Sequence, residues 1–122
     1  MTIGRSAEDY LEAILMIHER QGYVRSTDVA EQLGISKPSV SNATKRLRES
    51  EYLTTDPAGM LVLTASGMEI ASQIYARHRA LTNFFIRIGV CPEQAREDAC
   101  KIEHDISQET FEALCRYAGE QA

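Results

Sequence analysis

The sequence predicts a mainly α fold in which an N-terminal winged helix-turn-helix is followed by a helical domain. Three observations predict it. Apolar residues recur at helical spacing in six segments. A tight Gly34-Ile35 turn separates the second and third of these. Directly after the third come two short apolar runs flanking Asp56-Pro57-Ala58-Gly59, which is the chemistry of a hairpin turn. The expected division is a head over residues 1–70 and a second domain over residues 71–122, with the junction inside a long helix.

Each element has its own signals. The first helix is expected to start at Ser6, with Asp9 completing a capping-box pattern. Leu11, Ile14, Leu15 and His18 share a face, and Gly22 stops the helix. A short helix after Ser26 buries Val29, Ala30 and Leu33. Ser36 caps the third helix, and Pro38 sits in the first turn, where a missing N–H costs nothing. Tyr52–Thr55 and Met60–Leu63 read as strands. Thr64 caps a fourth helix running to about Ile88, with Gly89 as its stop. Pro92 opens a fifth helix through roughly Asp105, and Ser107 caps a sixth that contains Phe111, Leu114 and Cys115.

Composition narrows the class. The 122 residues are 43% hydrophobic and 25% charged, an ordinary globular balance. No apolar run reaches the roughly 18 residues of a membrane span. The first residues lack the apolar core of a secretory signal, so a cytoplasmic location is expected. Cys91, Cys100 and Cys115 are then expected to be reduced, and their odd number argues against a disulfide framework. A net charge of −5 looks unsuited to nucleic acid, but its distribution removes the objection. Residues 1–90 carry ten acids and ten Lys/Arg, whereas residues 91–122 carry eight acids and three. Local charge governs nucleic-acid affinity, and Lys37, Lys45, Arg46 and Arg48 make a basic patch on the neutral part.

The third helix has two faces. Val40, Thr44 and Leu47 point inward; Ser41, Asn42, Lys45 and Arg46 point outward, with Ser39 beside them. Short hydroxyls and an amide suit base edges, and Lys and Arg suit phosphates. With Ser36, Lys37 and Pro38 at the helix start, these residues are the expected DNA-binding set. A charge run alone is usually a solvated helix face. The order of elements and the hairpin that follows set this one apart.

A second constellation suggests metal. Cys100, Glu103 and His104 stand at i, i+3 and i+4, and on an ideal helix they share a face. Thiol, carboxylate and imidazole make a three-ligand half-site for a transition metal. Asp9 and Glu12 are i, i+3 on the first helix, and His78 lies in the fourth. Each has a bland reading as well: Asp9 as a cap, Glu12 as a solvated helix residue, Cys100 as a small hydrophobe, and the histidines as hydrogen-bonded structural groups.

Several stretches together resemble the iron-dependent repressor family, the group of the diphtheria toxin repressor and the manganese transport regulator. They are Glu8-Asp9-Tyr10-Leu11-Glu12, Asp28-Val29-Ala30-Glu31 through Pro38-Ser39-Val40-Ser41, Leu63-Thr64 with Gly67, Arg77-His78-Arg79, and Cys100-Lys101-Ile102-Glu103-His104. The resemblance covers nearly the whole chain. It implies that the second domain binds metal and forms the dimer, and that metal acts as co-repressor at Asp9, Glu12, His78, Cys100, Glu103 and His104. It also implies the short form, without an SH3-like domain. Manganese-type members carry a carboxylate where this chain has Cys100, and iron-type members carry a Met where it has Asp9. The iron-type ancillary site uses a Glu where this chain has Thr82 and a His where it has Arg96, so that site is not expected to form.

The expected function is therefore a metal-dependent transcriptional repressor of metal-homeostasis genes. It would bind a palindromic double-stranded operator as a homodimer when loaded with Fe²⁺ or Mn²⁺, with Zn²⁺ or Co²⁺ as runners-up. No enzymatic activity, membrane partner or small organic substrate is expected. The alternative is a metal-independent winged-helix regulator that senses an organic ligand or redox state.

Overall fold

In a computed structural model, residues 4–119 are described and form six helices and one two-stranded sheet. Residues 1–3 and 120–122, the outermost parts of the two expected domains, lie outside the described residues. The chain divides into two compact units, residues 1–72 and 73–122.

The first unit contains α1 (Arg5–Gln21), α2 (Ser26–Leu33), α3 (Lys37–Glu49), β1 (Leu53–Thr55), β2 (Leu61–Leu63) and the start of α4 (Ala65–Arg87). α1 packs on α2, α3 and β2, and α3 packs on α2 and β1. Buried Leu11, Ile14, Ile17, Val24, Val29, Val40, Leu47, Leu53 and Leu61 supply the apolar interior. β1 and β2 pair antiparallel with Leu53 opposite Leu63. The Asp56 carboxylate closes their turn by accepting the N–H groups of Ala58 and Met60, both at 2.9 Å. This is the winged helix-turn-helix.

Local chemistry sets the boundaries. Ser36 caps α3 by accepting the N–H of Ser39, as the sequence suggests. Gly22 and Gly34 end α1 and α2 in the left-handed conformation. The start of α1 differs from expectation. Its N-cap is Gly4, which has no side chain to cap with, and the Gly4 carbonyl accepts the N–H of Glu8 at 3.1 Å as the first bond of the helix. Ser6 thus falls inside the first turn and is not the N-cap. His18 is exposed, although Leu11, Ile14 and Leu15 on its expected face are buried.

The wing is tied to the start of α4 through Glu51, the one described non-glycine residue with positive φ, at 65°. Its carbonyl accepts the Thr64 hydroxyl at 2.7 Å and the Ser66 hydroxyl at 3.2 Å. Thr64 in turn caps α4 by accepting the N–H of Gly67 at 3.1 Å. A Cβ at Gly67 would overlap the Tyr52 carbonyl oxygen, so this close approach of α4 to the residue before β1 requires glycine.

The second unit contains the rest of α4, α5 (Pro92–Ile102) and α6 (Gln108–Ala118). Leu81, Ala99, Phe111 and Cys115 form its core, with Phe85, Ile102, Ile106 and Leu114 packed around them. Cys115 is therefore a buried apolar residue, while Cys91 is exposed at the N-cap of α5. Ser107 caps α6 by accepting the N–H of Thr110 at 3.0 Å. α5 ends at Ile102, short of the expected Asp105. The Ile102 carbonyl accepts from both Asp105 and Ile106, which closes the chain into a turn leading to α6.

Candidate nucleic-acid interface and metal centre

α3 has one buried and one exposed face, and the residues expected to meet DNA lie on the exposed one. Val40, Ala43, Thr44 and Leu47 are buried. Ser36, Lys37, Pro38, Ser39, Ser41, Asn42, Lys45 and Arg46 are all exposed. Thr44 directs its hydroxyl to the Ser41 carbonyl at 3.1 Å, which satisfies it inside the head. Ser36 and Ser39 also bond each other through their hydroxyls at 2.9 Å, so both help shape the helix start. The remaining exposed side chains form a compact set of one cation at the first turn, an amide and a hydroxyl in the middle, and two cations further along. A helix so equipped can place short polar groups against base edges and cations against phosphates.

The metal candidates in the second unit converge. Glu103 is 0% exposed. One carboxylate oxygen lies 3.2 Å from His78 Nδ1, and the other lies 3.5 Å from His104 Nε2. The His104 side chain is 1% exposed and that of His78 12%. Neither Glu103 oxygen, nor His78 Nδ1, takes part in a hydrogen bond among the described residues. The groups are near one another but not aimed at one another. Atoms about 2.1 Å from a shared octahedral cation stand about 3 Å apart with lone pairs turned to the centre. A fully buried carboxylate without donors is costly, and a cation removes that cost. These residues fit a divalent metal.

The other candidates are placed as follows. Asp9 and Glu12 lie in α1, and Glu12 is 4% exposed although most acids sit at protein surfaces. Cys100 is exposed, in contrast to the buried Glu103. Thr82 is buried and donates its hydroxyl to the His78 carbonyl at 2.7 Å.

Residues 2–61 match the family described as iron dependent repressor, N-terminal DNA binding domain. Residues 64–121 match the companion family, iron dependent repressor, metal binding and dimerisation domain. The transcriptional regulator MntR of Escherichia coli O6:H1 is 38% identical over 107 residues, 88% of this chain and 69% of that protein. The chain belongs to the iron-dependent repressor family. The HTH-type transcriptional regulator MntR of Shouchella clausii is likewise 38% identical, over 109 residues, 89% of this chain and 76% of that one. Among solved structures, a manganese-dependent transcriptional repressor in complex with manganese superposes with a TM-score of 0.86 at 27% identity. It matches 94% of this chain, which spans 53% of that one, so the chain covers about half the length of that structure.

Within the iron-dependent repressor family, this chain's own sequence carries one contributor that spacing and ligand chemistry pass over. Arg77 precedes His78 and has the wrong chemistry for a metal ligand. Its guanidinium nevertheless donates to the carbonyls of Glu103 at 3.1 Å and Ile106 at 2.9 Å, and to Gln108 Oε1 at 2.7 Å. Nothing in a single sequence announces a bond across 26 residues; the one signal is an arginine adjoining a candidate ligand.

Proposed function

We propose that this chain is a metal-dependent transcriptional repressor that binds a palindromic operator as a homodimer and governs metal-homeostasis genes. The observation that carries the metal part is Glu103, fully buried, with its two oxygens 3.2 and 3.5 Å from two imidazole nitrogens and accepting no hydrogen bond among the described residues. His78, Glu103 and His104 hold the ion in this reading. Asp9 and Glu12 join them on the strength of the family pattern and their shared face on α1. A bound divalent cation supplies the positive charge that these carboxylates lack. Their carboxylate-imidazole character suits Mn²⁺ and Fe²⁺ ahead of softer ions. Cys100 adds a thiolate only by leaving its exposed position, so it stands outside the set.

The exposed face of α3 engages the major groove. Ser39, Ser41 and Asn42 face base edges, Lys37, Lys45 and Arg46 face phosphates, and Ser36 with Pro38 sets the helix start. Two such heads in a two-fold dimer read half-sites about 34–36 Å apart. The protein works in the cytoplasm, where its operator is, and it is not an enzyme: the acids and imidazoles it buries serve metal binding. Among the described residues no helix is long and apolar enough to cross a membrane.

Fluorescence anisotropy on a palindromic promoter fragment tests this, run anaerobically at one fixed salt concentration. Chelator comes first, then Mn²⁺, Fe²⁺ and Zn²⁺ in turn. A coupling of about 1–3 kcal/mol corresponds to a gain in DNA affinity of about 5–150-fold on adding metal. Equal affinity in chelator and in metal would overturn the reading.

A further inference from the structure

Glu103 is the C-cap of α5, its N–H bonded to the Ala99 carbonyl at 3.0 Å, and His104 follows it into the turn that leads to α6. A turn alone is a poor platform for ligands, whose side chains must be held to within a fraction of an ångström. Something must fix it against α4, where His78 resides. Arg77 is placed to do so. One nitrogen of its guanidinium takes the carbonyls of Glu103 and Ile106, at either end of the turn, and the other takes Gln108 in the first turn of α6. The same group lies 5.2 Å from the centre of the Phe111 ring, part of the core of this unit. Three acceptors and an aromatic face therefore lock a single planar cation.

The consequence for the metal ligands is direct. Arg77 is the backbone neighbour of His78, and its hydrogen bond ends on the backbone of Glu103. The two ligands that stand 3.2 Å apart are thus also tied through their main chains. Two of the bonds are made to backbone carbonyls, and the one to Glu103 satisfies the carbonyl at the C-cap of α5. We propose that Arg77 is a positioning residue for the metal centre, setting affinity by holding Glu103 and His104 in register with His78 without touching the ion. This rests on the metal reading above. It extends that reading to a residue whose chemistry is not that of a ligand.

Lysine cannot replace it. An ammonium is a point donor on a flexible stem, and it lacks the planar fork that reaches two carbonyls and an amide together. Arg77→Lys keeps the charge and most of the aliphatic stem, which makes it the gentler variant. Arg77→Ala removes the whole latch.

The test is titration of Mn²⁺ and Co²⁺ into the full chain and both variants, by calorimetry and by the Co²⁺ visible spectrum. Melting in chelator is recorded for each. Supporting groups of this kind typically change metal affinity by about 10–100-fold, and that weakening is expected for Arg77→Lys together with altered Co²⁺ bands. If Arg77 only braced the fold, Arg77→Lys would melt lower but bind metal as tightly as the parent and with the parent spectrum; that result overturns the proposal and leaves the metal reading intact. Should the unsubstituted chain take up neither ion, the metal reading fails first, and this one with it.

Discussion

Replacing Glu103 by glutamine separates the cost of the buried carboxylate from its use. The side chain is fully buried, and neither oxygen accepts a hydrogen bond among the described residues. A buried polar group left unsatisfied costs about 1–3 kcal/mol, and more when it is charged. Glutamine has the same shape, carries no charge, and offers an N–H to His78 Nδ1, which lies 3.2 Å from one carboxylate oxygen. Without metal, E103Q should therefore be more stable than the parent by about 1–3 kcal/mol. For a chain of this size that is a rise in Tm of about 4 °C per kcal/mol. With Mn²⁺ at about a thousand times its Kd the order inverts: the parent gains about 4.1 kcal/mol by mass action, more than the variant's advantage, and the variant gains almost nothing. Differential scanning fluorimetry in chelator and across an Mn²⁺ series reads both signs. A variant that melts below the parent in chelator would show that Glu103 is a structural ion-pair member, and the metal assignment would lose its main support.

Other consequences follow from individual interactions. Gly67→Ala forces a Cβ onto the Tyr52 carbonyl oxygen, a rigid backbone atom, so it should destabilise the head by about 1–3 kcal/mol or more in urea unfolding. The Asp28 carboxylate accepts from the Arg25 guanidinium and the Arg25 N–H, which hold its pKa below the ordinary 3.8. The stability it adds is present above its unfolded-state pKa and is lost as pH falls through the lower folded one. Asp28→Ala should accordingly be less stable than the parent at pH 7 and converge with it at pH values well below 3.8, as followed by urea midpoints. Lys45→Ala should weaken operator and random DNA alike and flatten the salt dependence of binding by about 1 in log-log slope for each phosphate no longer neutralised. Cys100→Ser should change the Mn²⁺ Kd by less than about tenfold, under about 1.4 kcal/mol, where removal of a ligand would cost more.

Most of the head is legible in the sequence because its signals are local. Ser36 before Lys37-Pro38, the glycines after α1 and α2, and Asp56 opening a four-residue turn each act within a few positions. The reading face of α3 follows from one period: once Val40, Thr44 and Leu47 are inward, the exposed set is determined. The start of α1 is not legible in the same way. The residue types point to Ser6, yet the N-cap is Gly4, two residues earlier, and that placement depends on backbone conformation, which sequence does not display. Likewise the positive φ of Glu51 has no residue-type signal; its carbonyl bonds to Thr64 and Ser66 come from 13 and 15 residues away.

The metal candidates show where periodicity helps and where it misleads. Spacing of i, i+3 and i+4 puts Cys100, Glu103 and His104 on one side of an ideal helix, but two facts override it. α5 ends at Ile102, so His104 is delivered by a turn. The buried line of α5 then runs through Ala95 and Ala99 to Glu103 at four-residue intervals, with Arg96 and Cys100 each one residue further round and exposed. An offset of one residue is about 100° on a helix, enough to move a thiol from the core side to solvent. The two alanines carry the information, since small residues at i and i+4 mark a close-packed helix face, and an acid that continues such a line must be buried. A glutamate there has either a partner or a cation to meet, and the two imidazoles beside Glu103, 3.2 and 3.5 Å away and making no hydrogen bond to it, fit the second case, the one proposed above.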